Sequence, residues 1–583
     1  MLTTVILRDP RQQCWFLYHQ PVEVVWTRVS ADVVRLLSQL ERRVEHEGLF
    51  AAGYVAYGAA PGFDEALPGE SDCALPLICF ALYESRQRLE SLTQFDPQGA
   101  DSSAITPAVT WSLSTPRSVY VDRVENLRRH ISEGDAYQVN LTANLQAQTL
   151  LGFPAFRRMA VESPYGAYLE GDDFTIVSAS PELFFELADG LISSKPMKGT
   201  VPRGLDSESD LRARDWLAQS KKNRAENLMI TDMMRNDLGR IANPGSVAVP
   251  ALFDVEQYPT VWQMTSTVTA QTRAGITEIF RALFPGASIT GAPKRAAMGF
   301  INTLEDQPRS IYTGTIGVIE PGGRAQFNVA IRTAWSDKRT GVTHYGAGGG
   351  IVWDSDPADE YQELLAKTQI LYATDQDFEL LETLRWTPTE GYYLCERHLD
   401  RLEASARYFR FYYDRESVME ALQQAHDDKI AVPQRVRLTL NRNGACRVQQ
   451  SALSAQPAAG SPQSVKFVST PVDKSNVLLY HKTTARDVYT AAAREVPPEV
   501  EGLLFNQQGY VTESTIANVV YQLAGSLYTP PIDDGLLPGT LRAWLLEQGE
   551  IAERSLHMSE ADTVDRWFLI NALRGWREAK LCP

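Results

Sequence analysis

The sequence predicts an α+β protein organised as two successive halves. Apolar strand-like segments alternate with amphipathic helical segments up to residue 372, and a fresh series of such segments begins at Phe378. The junction at 372–377 is short and not of low complexity, so we expect the two halves to lie close together. A second seam, the loop-like run QPAAGSP at 456–462, divides the second half into two lobes.

Composition narrows the class of protein. The chain of 583 residues has 44% hydrophobic and 22% charged residues and a net charge of −16. These values are typical of a globular protein and disfavour binding to nucleic acid or to an anionic membrane. No basic leader with an apolar core and no run long enough to span a bilayer is recognisable. The six scattered cysteines predict reduced thiols in a cytoplasmic protein.

Local patterns place the elements that matter below. Gly134 is suited to end a helix that contains Val124, Leu127 and Ile131. Asp356 and Pro357 are suited to begin another. The predicted elements are a helix ending near 133, strands at 136–141 and 174–180, and helices at 225–238 and 356–371.

Two groups of residues could carry chemistry in the first half. Lys198, in the run KPMKGT, offers an amine that can attack a conjugated ring as the free base. Glu360 and Glu363 share one helical face, and Glu226 opens another helix; Mg²⁺ could join three such carboxylates. From spacing alone, a surface lysine in a turn and solvated acidic helix faces remain the alternatives.

The first half resembles the chorismate-utilising enzymes. KPMKGT is similar to the P-I-K-G-T motif of the aminodeoxychorismate synthase component I branch, in which lysine replaces the alanine of anthranilate synthases. The resemblance implies a two-lobed, anthranilate synthase-like fold with an N-terminal subdomain at 1–115 and a chorismate-binding domain at 116–372. Further segments in family order are GDAYQVNLT (134–142), SASPELF (178–184), AENLMITDMMRNDLGR (225–240), FPGASITGAPK (284–294), FNVAIRT (327–333) and GGGIVWDSDPADEYQE (348–363).

The resemblance assigns roles to individual residues of the first half. Lys198 would be the nucleophile and Glu182 the acid–base residue that protonates the departing hydroxyl. Mg²⁺ would be bound by Glu226, Glu360 and Glu363. Residues implied to contact chorismate are Tyr312, Arg332, Gly348, Gly349, Gly350, Thr290 and Lys294.

The first half departs from the family pattern at two positions. Gln263 stands where many relatives have histidine, and glutamine cannot carry a proton, so we assign it no acid–base role. Asn223 stands where some relatives have an acidic residue.

No cysteine is flanked by glycine on both sides, as a glutaminase nucleophile would be. We therefore expect ammonia from a separate glutamine amidotransferase subunit or from free ammonium.

The second half resembles the fold-type IV pyridoxal phosphate (PLP) enzymes. The resemblance implies a small lobe at 377–455 and a large lobe at 463–583, and fold-type IV relatives are commonly homodimers. Lys482 would bind PLP, Glu513 would pair with the pyridine nitrogen, and Arg401, Gly539 and Thr540 would bind the phosphate. The segments are ERHLDRLEASA (396–406), NVLLYHKTTARDVY (476–489), GYVTESTIANV (509–519) and LLPGTLR (536–542).

The run NALRGW at 571–576 resembles the N-S-L-R-G segment of the lyase branch, with Ala572 in place of serine. This similarity favours a lyase over an aminotransferase and implies that Asn571 and Arg574 contact the substrate.

Together the two resemblances imply a bifunctional enzyme. The first half would convert chorismate and ammonia into 4-amino-4-deoxychorismate, and the second would release pyruvate to give 4-aminobenzoate, a folate precursor. One alternative is an anthranilate synthase-like half fused to a branched-chain or D-amino acid aminotransferase. The other is an inactive scaffold or a regulatory binder of chorismate-like metabolites, which the lysines at 198 and 482 disfavour.

Overall fold

The computed structural model describes residues 1–70, 73–95, 109–160, 162–372, 378–425, 432–453 and 462–582. Contacts group the chain into two compact units. The first comprises Met1–Pro202 and Arg214–Asp375, and the second comprises Arg203–Ala213 and Gln376–Pro583. Most of the expected junction and seam, at 373–377 and 456–461, lies outside the described residues.

Strands of the first unit form two large sheets. In chain order they are β1 Leu2–Asp9, β2 Cys14–His19, β3 Glu23–Thr27, β4 Phe50–Val55, β5 Ile78–Tyr83, β6 Gln87–Leu89, β7 Ser112–Leu113, β8 Gln138–Ala147, β9 Tyr165–Gly171, β10 Phe174–Ser180, β11 Leu183–Ala188, β12 Leu191–Lys195, β13 Met197–Pro202, β14 Ala248–Gln257, β15 Val261–Gln271, β16 Gly291–Ala292, β17 Thr315–Glu320, β18 Arg324–Val329, β19 Thr333–Asp337 and β20 Val342–Ile351.

The sheet orders are β16-β8-β20-β19-β10-β9-β1-β2-β6, with β7 beside β8, and β13-β15-β12-β11-β18-β17-β4-β5-β3, with β14 beside β15. Strands from before residue 95 therefore belong to both sheets. The N-terminal segment predicted as a subdomain is interleaved with the rest of the unit because its strands complete these sheets.

The helices lie between these strands in sequence. They are α1 Val33–Glu47, α2 Ala60–Phe63, α3 Arg117–Glu133, α4 Phe153–Ala160, α5 Ser207–Gln219, α6 Lys221–Gly239, α7 Ile276–Leu283, α8 Lys294–Leu304 and α9 Pro357–Thr368.

The two sheets of the first unit pack on each other through a shared apolar layer. Tyr54 of β4 meets Phe174 of β10 edge to face, with ring centroids 6.0 Å apart, and both are buried. The neighbouring residues of β4 point the other way, where Val55 joins the buried side chains Leu37 and Val44 of α1. Alternation along the strand thus supplies one face to each layer.

Local signals explain the elements that carry the site. The α3 helix ends at Gly134 with φ 88°, as predicted. The α6 helix begins before the predicted residue 225 because the Ser220 hydroxyl accepts the Asn223 N–H. The Asp356 carboxylate caps α9 by accepting two backbone N–H groups, also as predicted. The strand at 174–180 is confirmed, whereas the one predicted at 136–141 runs over Gln138–Ala147.

The second unit has a four-stranded sheet and an eight-stranded sheet among its described residues. Their orders are β22-β21-β23-β24 and β27-β26-β25-β32-β31-β28-β29-β30, and an extra β27–β28 pairing closes part of the latter into a ring. The elements are β21 Leu380–Thr387, β22 Gly391–Tyr392, α10 Cys395–Phe409, α11 Arg415–Gln424, β23 Gln434–Leu440, β24 Cys446–Ala452, β25 Gln463–Phe467, α12 Asp487–Arg494, β26 Glu501–Phe505, β27 Val511–Ser514, β28 Asn518–Leu523, β29 Ser526–Thr529, α13 Thr540–Glu547, β30 Ala552–Glu553, β31 Arg566–Asn571 and β32 Gly575–Leu581.

The predicted α+β class is confirmed in both units. No helix in the described part of the chain is long and apolar enough to cross a membrane.

Candidate functional site

A cavity of about 290 Å³ in the first unit gathers most of the residues predicted there. Its lining includes Glu182, Lys198, Glu226, Tyr312, Arg332, Gly348, Gly349, Gly350, Glu360 and Glu363. These residues come from both sheets, from helices α6 and α9, and from connecting segments that carry Glu182, Tyr312 and Arg332.

Lys198 lies on the edge strand β13 with its side chain only 16% exposed. Its Nζ is 4.0 Å from the Glu226 carboxylate. Its backbone carbonyl accepts a hydrogen bond of 3.1 Å from Asn227 on α6, and Gly199 adopts φ 99°, which glycine tolerates. The backbone therefore directs the amine into the cavity, away from bulk water.

Gln263 braces the strand that carries Lys198. Its side-chain nitrogen donates to the Gly199 carbonyl at 2.9 Å, and its oxygen accepts from the Thr200 hydroxyl at 2.9 Å. Both groups of the amide are thereby used in positioning β13.

Glu182 is a buried carboxylic acid in the same cavity. Its side chain is 4% exposed and accepts a hydrogen bond from the Ser288 hydroxyl at 2.8 Å. Burial raises the pKa of Glu182 to about 7, although the nearby charge of Lys198 opposes this shift. The group can therefore hold and release a proton near neutral pH.

Glu360 and Glu363 both project from α9 toward Gly349. A Cβ atom on Gly349 would lie 2.9 Å from Glu360 Oε2 and 3.9 Å from Glu363 Oε1. The charge of Lys367, whose Nζ is 2.7 Å from Glu363, lowers the pKa of that carboxyl to about 2. Burial and the charge of Glu363 raise the pKa of Glu360.

Three carboxylates on one cavity wall fit a divalent cation in their chemistry. They are not closely gathered: in the described chain, the group of three metal-ligating atoms that lie within 4.8 Å of one another is the surface set His130, Glu133 and Asp135. Mg²⁺ characteristically keeps several waters and binds substrate oxygens through one or two carboxylates. The spread of Glu226, Glu360 and Glu363 is compatible with that mode of binding.

Arg332 presents a cation without a counter-ion. Among the residues that the structure describes, none makes an ion pair or side-chain hydrogen bond with its guanidinium. Its backbone has φ 50°, a conformation that non-glycine residues rarely adopt and that marks functional sites. Tyr312, buried on the same cavity, lies against Gly346, where a Cβ would collide with its ring.

The glycines at 348–350 belong to β20, and their register on β8 pairs Gly348 with Thr142 and Gly350 with Asn140. A Cβ on Gly348 would strike the Leu141 carbonyl. The absence of side chains here keeps the main chain at the cavity wall.

Thr290 and Lys294, which the family resemblance implies to contact chorismate, are not among the residues that line this cavity. The Thr290 hydroxyl donates to the Gly286 carbonyl at 2.9 Å. Lys294 Nζ donates to the Leu283 carbonyl at 3.2 Å and lies 3.5 Å from Asp237. Both side chains therefore make contacts within the protein that stabilise the local structure around them.

The second unit contains a cavity of about 270 Å³. It brings together all the residues predicted for this half, which are Arg401, Lys482, Glu513, Gly539, Thr540, Asn571 and Arg574.

Lys482 is an amine in a largely desolvated position. Burial, reinforced by the charge of Arg401, lowers the pKa of Lys482 to about 8. Its carbonyl accepts from the Leu381 N–H at 2.9 Å, which fixes the loop on the edge of β21. Such an amine is close to the free-base form needed to bind an aldehyde cofactor.

Glu513 on β27 is held from three sides. It accepts hydrogen bonds from the Tyr489 hydroxyl at 2.8 Å, the Leu537 N–H at 3.1 Å and Asn518 Nδ2 at 3.3 Å. Burial raises the pKa of Glu513 to about 7.

The start of α13 forms the opposite end of the cavity. Gly539 is its N-cap and provides no side-chain cap, so the first N–H groups are open to an anion. Arg401 lies nearby, donating to the Pro538 carbonyl at 3.1 Å and to Glu382 through two bonds of 2.7 and 2.9 Å. His398 lies 3.3 Å from the Thr540 hydroxyl.

Asn571 and Arg574 lie on the rim, where the Asn571 side-chain oxygen accepts the Arg574 N–H at 2.8 Å. An aldehyde-reactive amine, a buried carboxylate and a helix start beside an arginine, all on one cavity, fit PLP by their donor chemistry.

Several lining residues went unnoticed in the sequence. Lys367 is four residues beyond Glu363 on α9, a spacing that pairs side chains, and this signal could have found it. Asn140 lines the same cavity, and its buried side-chain nitrogen has no hydrogen-bond partner in the described part of the chain. In the second cavity Arg435, Arg437, Arg486 and Tyr489 were missed, and the alternating run QRVRLTL is the one available signal for the first two.

Comparisons with known proteins agree with this geometry. The family described as chorismate binding enzyme matches residues 3–373, and the family described as amino-transferase class IV matches residues 379–582.

Individual relatives cover the first half. Aminodeoxychorismate synthase component 1 of Klebsiella aerogenes is 39% identical over 344 residues, spanning 54% of this chain and 75% of the relative. Anthranilate synthase component 1 1 of Haloarcula marismortui is 34% identical over 366 residues, spanning 61% of this chain and 74% of the relative. The crystal structure of anthranilate synthase component I from Streptococcus pneumoniae TIGR4 aligns with a TM-score of 0.53 at 25% identity, covering 61% of this chain and 91% of that one.

Proposed function

Because the chain belongs to the family of chorismate binding enzymes, we propose that its first unit converts chorismate and ammonia into 4-amino-4-deoxychorismate. The observation that carries this proposal is the position of Lys198. Its amine enters a cavity that also holds a buried acid, Glu182, and the cation Arg332, which has no ion-pair partner in the part of the chain that is described. The anthranilate-forming branch of the family has no amine at this position.

The residues divide the work of this reaction among themselves. Arg332 binds the side-chain carboxylate of chorismate, and Tyr312 with the backbone at Gly348–Gly350 positions the ring. Lys198 adds to ring carbon C2, while Glu182 gives its proton to the 4-hydroxyl, which leaves as water. Ammonia then bonds to C4 while the C2–N bond breaks, and its electron pair stays on the nitrogen of Lys198, which is thereby released as the free amine.

Glu226, Glu360 and Glu363 would hold Mg²⁺. The ion supplies charge neutralisation for the ring carboxylate when it is bound.

We further propose that the second unit eliminates pyruvate from this product to give 4-aminobenzoate. PLP withdraws electrons from the substrate amine when bound. Lys482 would hold PLP and then remove the C4 proton of the ring, and the lowered pKa suits it to this task. Glu513 pairs with the pyridine nitrogen, while Gly539, Thr540 and Arg401 bind the phosphate. Asn571 and Arg574 contact the substrate at the rim.

With a lyase as the second half, the first half supplies 4-amino-4-deoxychorismate and the second half consumes it. The alternative pairing, an anthranilate synthase-like half with an aminotransferase, has no such shared compound. Ammonia would come from a glutamine amidotransferase subunit, as the name component 1 of the relatives implies a second component. The scattered spacing of the six cysteines supports a reducing, cytoplasmic location.

Product analysis tests this proposal. The purified chain is incubated with chorismate, ammonium, Mg²⁺ and PLP, and the products are separated by chromatography. We expect 4-aminobenzoate and pyruvate in equal amounts. Anthranilate as the aromatic product would overturn the proposal for the first unit, and accumulation of 4-amino-4-deoxychorismate would overturn that for the second.

A further inference from the structure

Two arginines that no motif identifies line the cavity of the second unit. Arg435 and Arg437 alternate along β23, so their side chains leave the same face of the sheet. Arg437 pairs in register with Thr383 of β21, which also lines the cavity. Val436 between them and Leu438 after Arg437 point into the apolar core on the opposite face.

Neither arginine has a protein partner among the residues that the structure describes. No hydrogen bond or ion pair joins the guanidinium of Arg435 or Arg437 to a described side chain or carbonyl. The other arginines are engaged: Arg401 is held by Glu382, and Arg486 donates to the Thr515 carbonyl at 2.7 Å. Two adjacent cations without counter-ions repel each other, and an arginine cannot relieve this by losing its proton.

The excess of positive charge around the cavity is large enough to balance more than one bound anion. Among the described residues, its basic lining consists of Arg401, Arg435, Arg437, Lys482, Arg486, Arg574 and His398, and its one carboxylic acid is Glu513. The phosphate of the cofactor has its own site at the start of α13 beside Arg401. Arg435 and Arg437 belong to the neighbouring sheet and are not needed for it.

We propose that Arg435 and Arg437 bind a carboxylate of the second unit's substrate and select a dicarboxylate amine over a monocarboxylate amino acid. This inference rests on the proposed function and deepens it. The product of the first unit carries two carboxylates, one on the ring and one on the enolpyruvyl group. A planar guanidinium fork matches a carboxylate with two parallel hydrogen bonds, and two neighbouring forks favour a ligand of higher negative charge.

The test supplies 4-amino-4-deoxychorismate directly and measures kcat and KM for 4-aminobenzoate formation. We expect Arg437→Met to raise KM by roughly 10- to 100-fold, since it removes a charge-assisted pair of hydrogen bonds. Arg435→Met should have a smaller effect because its side chain is more exposed. Arg437→Lys keeps the charge and should recover part of the loss. Arg447→Met is the matched control, an exposed arginine of β24 outside the cavity.

A binding measurement separates recognition from catalysis. In the Lys198→Ala background, chorismate without ammonium is an unreactive dicarboxylate, and its binding to the second unit is followed through PLP absorbance. Arg437→Met should weaken chorismate binding by a similar factor and weaken binding of the monocarboxylate benzoate less.

Unchanged KM and unchanged chorismate binding in the Arg435→Met/Arg437→Met double variant, with PLP absorbance retained, would overturn the inference. A wild-type chain that forms no 4-aminobenzoate from 4-amino-4-deoxychorismate would instead refute the proposed lyase function. The two failures are therefore distinguishable.

Discussion

The side chain of Lys198 occupies the space that a Cβ atom on Gly350 would need. The same Cβ would lie 3.0 Å from the side-chain nitrogen of Gln138, which is fully buried and has no partner among the described residues. A side chain at residue 350 would therefore force the Lys198 amine to leave the position that it has here. The position of the proposed nucleophile thus depends on the glycine-containing strand β20.

Replacing Gly350 with alanine should displace the amine of Lys198 and lower the first unit's turnover by at least 10-fold. Lyase turnover with supplied 4-amino-4-deoxychorismate should not change. Gly299→Ala is the matched control, because nothing lies within 4 Å of the added methyl in the middle of α8. Equal turnover of Gly350→Ala and wild type would show that Lys198 need not lie where the structure has it.

Lys198→Ala should abolish formation of 4-amino-4-deoxychorismate while leaving the lyase reaction intact. The variant loses the nucleophile but keeps the residues proposed to bind Mg²⁺ and the residue proposed to bind the substrate carboxylate. Lys195→Ala serves as the control, since that lysine is three residues earlier and pairs with Glu256. Chromatography of products from chorismate and ammonium measures both, and anthranilate from Lys198→Ala would indicate diverted ammonia attack.

Turnover of the first unit should fall as pH rises through about 7, because burial raises the pKa of the acid Glu182 to about 7. The same proton affects stability. The native state holds it up to about pH 7 and the unfolded state releases it near 4.5, so this stabilisation is complete below pH 4.5 and lost on the way to pH 7. Glu182→Gln should abolish turnover. It should also remove the contribution of this group to the pH dependence of the free energy of unfolding. A pH–rate profile flat between 6 and 8 would argue against Glu182 as the acid.

Lys482→Ala should prevent 4-aminobenzoate formation and let 4-amino-4-deoxychorismate accumulate. The near-visible absorbance of bound PLP should shift because the amine that holds it is gone. Spectroscopy and product chromatography on one sample give both readouts. Wild-type output of 4-aminobenzoate from this variant would remove Lys482 from the mechanism.

Arg203→Met should destabilise the second unit by about 3–5 kcal/mol, because it leaves the buried Asp210 carboxylate without its cation. Arg203 and Asp210 are 4% and 5% exposed, and Arg203 also stacks on Tyr408 with its guanidinium 4.1 Å from the ring. Denaturant unfolding followed through PLP absorbance measures the effect. Adding Asp210→Leu should restore part of the stability, whereas a double variant less stable than the single one would contradict this reasoning.

The sequence predicted the chemistry of the cavities better than their construction. Lys198, Glu182 and the carboxylates of α6 and α9 could be identified from the sequence because each belongs to a motif that combines a particular residue type with a particular spacing. Thr290 and Lys294 belong to a family motif but lie outside the cavity lining, and membership of a motif does not reveal which way a side chain points. Arg435 and Arg437 have only the alternating run QRVRLTL as a signal, and it is a weak one, since cations spaced two apart on a strand are also common on solvated faces.

Long-range contacts were likewise hidden from the sequence. Residues 203–213 follow β13 directly, yet they pack with the second unit, where Tyr408 donates to the Gly204 carbonyl at 2.8 Å. The N-terminal strands enter both sheets of the first unit for the same reason: pairing partners distant in sequence leave no local pattern.

The most direct test of the account is the mass of the peptide that contains Lys198. The Lys482→Ala chain is incubated with chorismate and Mg²⁺ but without ammonium, quenched and digested. We predict that this peptide carries chorismate less one water, attached at Lys198, and that the adduct disappears when ammonium is added. An unmodified peptide in a sample that forms 4-amino-4-deoxychorismate once ammonium is supplied would contradict nucleophilic catalysis by Lys198.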